Sequence, residues 1–133
     1  MKVQTDYYTI IPYKNLLFIE AFLSWDDRIA KEHIKKVDEI VAKLFQNKPW
    51  GLLVDRRNWN LNTPEAEQFF SENSNSNVTK TLTHSAIIVG SSDIKKWQVK
   101  KMTKNIKNYE TQIFNEFKEA QDWLASFGYY LEN

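Results

Sequence analysis

The chain has no cysteine among its 133 residues. That excludes disulfides, thiolate zinc sites and thiol nucleophiles together. Glycine and proline are scarce, at three each, so no glycine-rich loop is present to cradle a phosphate. The patterns Gly-x-Ser-x-Gly and His-Glu-x-x-His are missing as well. The only histidines, His33 and His84, are isolated from each other, and two separate imidazoles do not make a metal site. No enzyme motif, cofactor or metal is therefore expected. Charge of one sign is lacking too: Lys+Arg 18 against Asp+Glu 17 leaves +1. A nucleic-acid-binding domain is expected to be strongly basic, so nucleic acid is not an expected partner. No apolar run approaches the roughly 20 residues of a membrane span. The opening Met1-Lys2-Val3-Gln4-Thr5-Asp6 lacks the apolar core of a signal peptide. A cytoplasmic location is the expectation.

Aromatic side chains are plentiful, at 14% with five Trp. Each can bury about 150–250 Å², which calls for a tight core or an apolar cavity. The length suits one domain, residues 1–133, able to bury roughly two-thirds of its unfolded surface without a staple.

Trp50-Gly51-Leu52-Leu53-Val54-Asp55 is the stretch the rest is arranged around. A continuous apolar run ending on a carboxylate reads as a central strand covered on both faces. In open α/β sheets, function gathers beyond the carboxyl ends of such strands. Before it, Tyr7 to Ile11 and Leu16 to Leu23 read as strands joined by Tyr13-Lys14-Asn15, an antiparallel hairpin. A first helix follows, with Ser24 or Asp26 as cap. At about 100° per residue, Ile29, Ala30, His33, Ile34, Val37, Ile40, Val41, Leu44 and Phe45 make one stripe. Within it, His33 reads as a core histidine bonded to a carbonyl.

After the central strand, Arg56 to Asn62 reads as loop. Thr63 caps a second helix opened by Pro64, with Glu65 and Glu67 in its first turn. Ser71-Glu72-Asn73-Ser74-Asn75-Ser76-Asn77 is poor helix material. It leaves open a helix end, a loop or a break between short helices. Ser85 to Val89 is a buried strand, and His84 stands at its exposed start. Asp93 caps a basic helix to about Asn105, Glu110 to Phe114 is an edge strand, and Asn115 caps a last helix stopped at Gly128. The fold class is α/β: a hairpin, then alternating helices and strands, with about five strands in a mixed, mainly parallel sheet and about four helices.

This order resembles the STAS domain of the anti-sigma-factor antagonists, in particular its small SpoIIAA-like branch. The ending Phe114-Asn115-Glu116-Phe117-Lys118-Glu119-Ala120-Gln121-Asp122-Trp123-Leu124 is similar to that branch's strand, capped helix and Ala-x-x-Trp-Leu face. The resemblance implies a single STAS-like domain and a non-enzymatic regulatory or protein-interaction module with a protein partner. In the antagonists, Asp-Ser-Ser-Gly opens the helix after the central strand, and its first Ser is phosphorylated. Here Thr63 falls on that position, Asn62 replaces the acidic residue, and Pro64-Glu65 replaces Ser-Gly. Likeness of some relatives to lipid carriers adds an alternative, a carrier or sensor of a small apolar ligand such as a fatty acid.

Asp55, Asn62 and Thr63 are thus the candidate regulatory or anion-binding residues. For Asp55 the plain alternative is a pair with Arg56 or Arg57 and bonds to loop amides. Candidate partner-binding residues are Arg56, Arg57 and Trp59 in the loop, together with Lys96, Lys100 and Lys104. Trp59 reads as folded over the sheet or as an exposed anchor. The lysines share one helix face, read as solvated or as meeting an anionic partner. The sequence leaves a homo-oligomer open.

Overall fold

A computed structural model describes residues 1–73 and 79–132. Its strands are β1 (Val3–Gln4), β2 (Tyr8–Pro12), β3 (Leu16–Ala21), β4 (Leu23–Trp25), β5 (Trp50–Asp55), β6 (Trp59–Asn62), β7 (Leu82–Ile88) and β8 (Glu110–Phe114). Its helices are α1 (Asp27–Leu44), α2 (Pro64–Asn73), α3 (Asp93–Thr103) and α4 (Phe117–Ala125).

The main sheet runs β1-β2-β3-β5-β7-β8. Pairs β1/β2 and β2/β3 are antiparallel, whereas β3/β5, β5/β7 and β7/β8 are parallel. The mixed, mainly parallel α/β architecture is as expected. The sheet has six strands rather than five, because the short β1 adds to the hairpin. Strand β8 is the expected edge.

Strand β5 is central, and its two faces meet different helices. Leu53 is fully buried, with Ala120 and Leu124 of α4 in the same apolar cluster. Val54 and Leu52 face the other way, toward Val37 and Ile40 of α1 and Val99 and Met102 of α3. Gly51 allows the C-terminal Tyr129 to close over the strand: a Cβ there would stand 2.8 Å from the Tyr129 ring.

Several expectations need correction. The run Leu16 to Leu23 is not one strand. It breaks at Phe22, and Leu23 takes a left-handed φ of 59°. The chain turns there into β4, which pairs in parallel with β6. The stretch Arg56 to Asn62 is therefore not all loop. Of the first helix's stripe, Leu44 is exposed and Ile34 half-buried. The α1 cap is Asp26, whose carboxylate accepts from the Ile29 amide at 2.9 Å. Ser92, not Asp93, caps α3. Glu116 rather than Asn115 stands at the N-cap of α4, without a side-chain bond. The strand expected from Ser85 to Val89 begins earlier, at Leu82. Ser71 to Asn73 close α2, and residues 74–77 lie outside the described residues.

Candidate functional site

Alternation along β5 decides the chemistry beyond its carboxyl end. Successive side chains point to opposite faces, so Asp55 and Arg56 part company. The Asp55 carboxylate is buried. It accepts from Arg57 Nε at 3.0 Å, Arg57 Nη2 at 2.7 Å and the Arg57 amide at 3.0 Å. This forked pair raises the Arg57 pKa and consumes Asp55. Arg57 is the exposed member of the pair, and its guanidinium also lies over the Phe117 ring.

Arg56 goes inward, with 8% of its surface exposed. Its guanidinium sits 4.5 Å from the Trp59 ring centre and 5.6 Å from that of Trp25. Indole faces attract a cation. Even so, Nε and Nη1 are buried with no hydrogen-bond partner. Burial lowers the Arg56 pKa to about 10, so it stays charged at neutral pH. Lys95, which the sequence did not single out, closes this end by donating to the carbonyls of Arg56 (3.2 Å) and Arg57 (2.7 Å).

Trp59 is completely buried, so its ring is part of the core and not an exposed anchor. Its Nε1 donates to the Asn62 side chain at 3.2 Å. Asn62 is buried in a polar knot: its amide donates to Gln98 Oε1 at 2.8 Å, and Gln98 Nε2 donates back to the Asn62 carbonyl at 2.9 Å. Thr63 accepts from the Ala66 amide at 3.2 Å and so caps α2.

A cavity of about 130 Å³ lies between the sheet and helices α1, α2 and α3. Trp50, Leu52, Val54 and Arg56, alternate residues of one stretch, all line it. At about 3.3 Å per residue, that wall is roughly 20 Å long. His33 lines it from α1 and Phe70 from α2. The expected carbonyl partner of His33 is not what holds the ring. Tyr8 and Trp25 rings surround it at 4.6 Å and 4.8 Å, and its Nδ1 has no partner. Burial, helped by the Arg56 charge, lowers the His33 pKa to about 3. His84 is half-buried rather than exposed. It stacks on Phe127 at 3.8 Å and lies 3.4 Å from Glu110.

Of the three candidate lysines, Lys100 on α3 and Lys104 at its C-cap are exposed, and Lys96 is half-buried. Lys101, between them, pairs with Glu67 at 3.0 Å and covers the Trp97 ring at 4.3 Å. Sequence reasoning missed Trp97 and Ile94, each 58% exposed. Their signal was an apolar pair, three residues apart, on a lysine-rich face. The structure thus gathers Arg56 and His33 at the cavity and leaves Asp55, Asn62, Thr63 and the lysines outside it. No group of three His, Asp or Glu side chains suited to a metal occurs among the described residues. None of their helices is long and apolar enough to cross a membrane.

No protein-family model matches the chain. No curated protein matches it. Two solved structures are similar along nearly the whole length. One is an uncharacterized protein of the DUF3478 family, with a SpoIIAA-like fold, from Shewanella loihica PV-4. It is 15% identical with a TM-score of 0.67, the match covering 93% of this chain and 98% of that one. The other is the anti-sigma factor antagonist SpoIIAA in its unphosphorylated form. It is 9% identical with a TM-score of 0.55, over 89% of this chain and 97% of that one. At such identities the likeness concerns architecture alone, and the architecture of this chain is the SpoIIAA-like fold.

Proposed function

We propose that the chain is a non-enzymatic regulatory module of STAS type whose input is a small apolar ligand held in the cavity. The observation that carries this reading is the cavity itself: about 130 Å³, walled mainly by apolar side chains of the sheet and three helices. Binding sites of this kind are concave and mostly apolar, with a few convergent polar groups. A non-catalytic role is supported by the state of the candidate acid–base groups. Asp55 is tied to Arg57, and burial keeps His33 neutral at physiological pH. The test is calorimetric titration of the purified protein with neutral probes, 1-hexanol and 1-octanol. Saturable one-to-one binding is expected, together with its loss in Leu52→Trp, which fills the cavity. Absence of saturable binding by either probe would contradict the reading.

A second reading concerns output. The similar SpoIIAA structure is that of an anti-sigma factor antagonist, which supports a protein partner here too. The exposed Trp97, with Ile94 and Lys100 on the same helix and Lys104 at its C-cap, supplies the surface. Trp is favoured at the centre of protein interfaces. Partner capture from the host with Trp97→Ala should fall well below wild type. Unchanged capture would remove α3 as the contact face.

A further inference from the structure

The cavity carries information about the charge of its occupant. Arg56 brings a full positive charge to one end of a mainly apolar chamber, with Nε and Nη1 both unpartnered. No carboxylate forms an ion pair with it among the described residues: the adjacent Asp55 points to the opposite face and is bound by Arg57. A buried charge without a partner is strongly destabilising, and folds do not retain one without compensation. The two indoles beside Arg56 supply attraction but no hydrogen-bond acceptor. Two further polar atoms of lining residues lack partners. The Trp50 indole N–H is buried and unpartnered, and His33 Nδ1 is unpartnered too.

We propose that the cavity takes a small apolar carboxylate, its headgroup paired with the Arg56 guanidinium and its apolar part lying along Leu52 and Val54. This rests on the apolar-ligand reading above and deepens it. A guanidinium presents donors in a fixed fork that matches a carboxylate; Nε and Nη1 lie on different edges of that fork, so the headgroup would take one of these two orphan donors together with Nη2. Size follows from volume. A cavity of roughly 150 Å³ admits one benzene ring, and this one is about 130 Å³. Its long wall favours a narrow occupant, so of the fatty acids that the resemblance suggests a short unbranched chain fits best, hexanoate more closely than octanoate.

The test compares hexanoate and octanoate with 1-hexanol and 1-octanol at neutral pH, by calorimetry, on wild type, Arg56→Met and Arg56→Lys. Wild type is expected to bind each acid at least about tenfold more tightly than its alcohol, as a charge-assisted hydrogen bond implies. Arg56→Met should lose that preference and keep the alcohols, whereas Arg56→Lys should retain part of it. The unliganded Arg56→Met protein should also melt at a higher temperature than wild type, because an unpaired buried charge is gone. Equal affinity of wild type for acid and alcohol would overturn the carboxylate while leaving an apolar ligand standing. No binding of any of the four probes would overturn both.

Discussion

His33 shows what one buried side chain does to the behaviour of the protein. Its folded pKa, about 3, lies below its ordinary value of 6.5. The unfolded chain therefore binds a proton between these two values that the folded chain refuses. The stabilising contribution is complete above pH 6.5 and is lost as pH falls toward 3. A single group of this kind gives a slope of at most about 1.4 kcal/mol per pH unit. Denaturant melts from pH 7 downward, on wild type and His33→Gln, should show a steeper loss in wild type. Parallel curves would mean that His33 does not titrate as a buried neutral ring. Gly51 makes a second case. With the Tyr129 ring 2.8 Å from the place of a Cβ, Gly51→Ala should cost about 1–3 kcal/mol in the same assay. A loss below about 0.5 kcal/mol, the range of an ordinary surface change, would show that Tyr129 gives way freely.

Among the elements, β5 and α2 carry the clearest consequences. Leu53 is fully buried against α4, so Leu53→Ala should cost about 2–5 kcal/mol. The Thr63 hydroxyl accepts one amide of the first turn of α2, and Thr63→Ala should cost about 1 kcal/mol. Both are read from urea midpoints. A neutral Leu53→Ala would contradict a two-sided sheet. These elements were legible because their signals are local: the apolar run of β5, the period of α1, and Thr-Pro-Glu opening α2. The pair β4/β6 was not legible. It depends on Leu23 and Leu61 adopting positive φ, at 59° and 98°, a conformation that leucine does not advertise. The burial of Trp59 and the Asn62–Gln98 knot follow from that hidden pairing and from α3, which lies 36 residues on from Asn62.

At the scale of the whole molecule, the sheet divides two cores of different character. The α4 side is packed by Leu53, Ala120 and Leu124. The side under α1, α2 and α3 encloses the cavity and the charge of Arg56. The aromatic content announced a tight core or a cavity without saying on which side, because the sequence does not show how far three helices stand off a sheet. Nor did it separate Arg56 from Arg57. One residue of register sends the first inward and the second to Asp55. The most direct measurement is methyl-resolved NMR of the protein titrated with octanoate. Saturable shifts are expected at Val37, Leu52, Val54 and Met102, which line the cavity, with Leu53 and Leu124 unmoved on the other face. No saturable shift, or shifts confined to Leu53 and Leu124, would contradict the assignment of the cavity as the binding site.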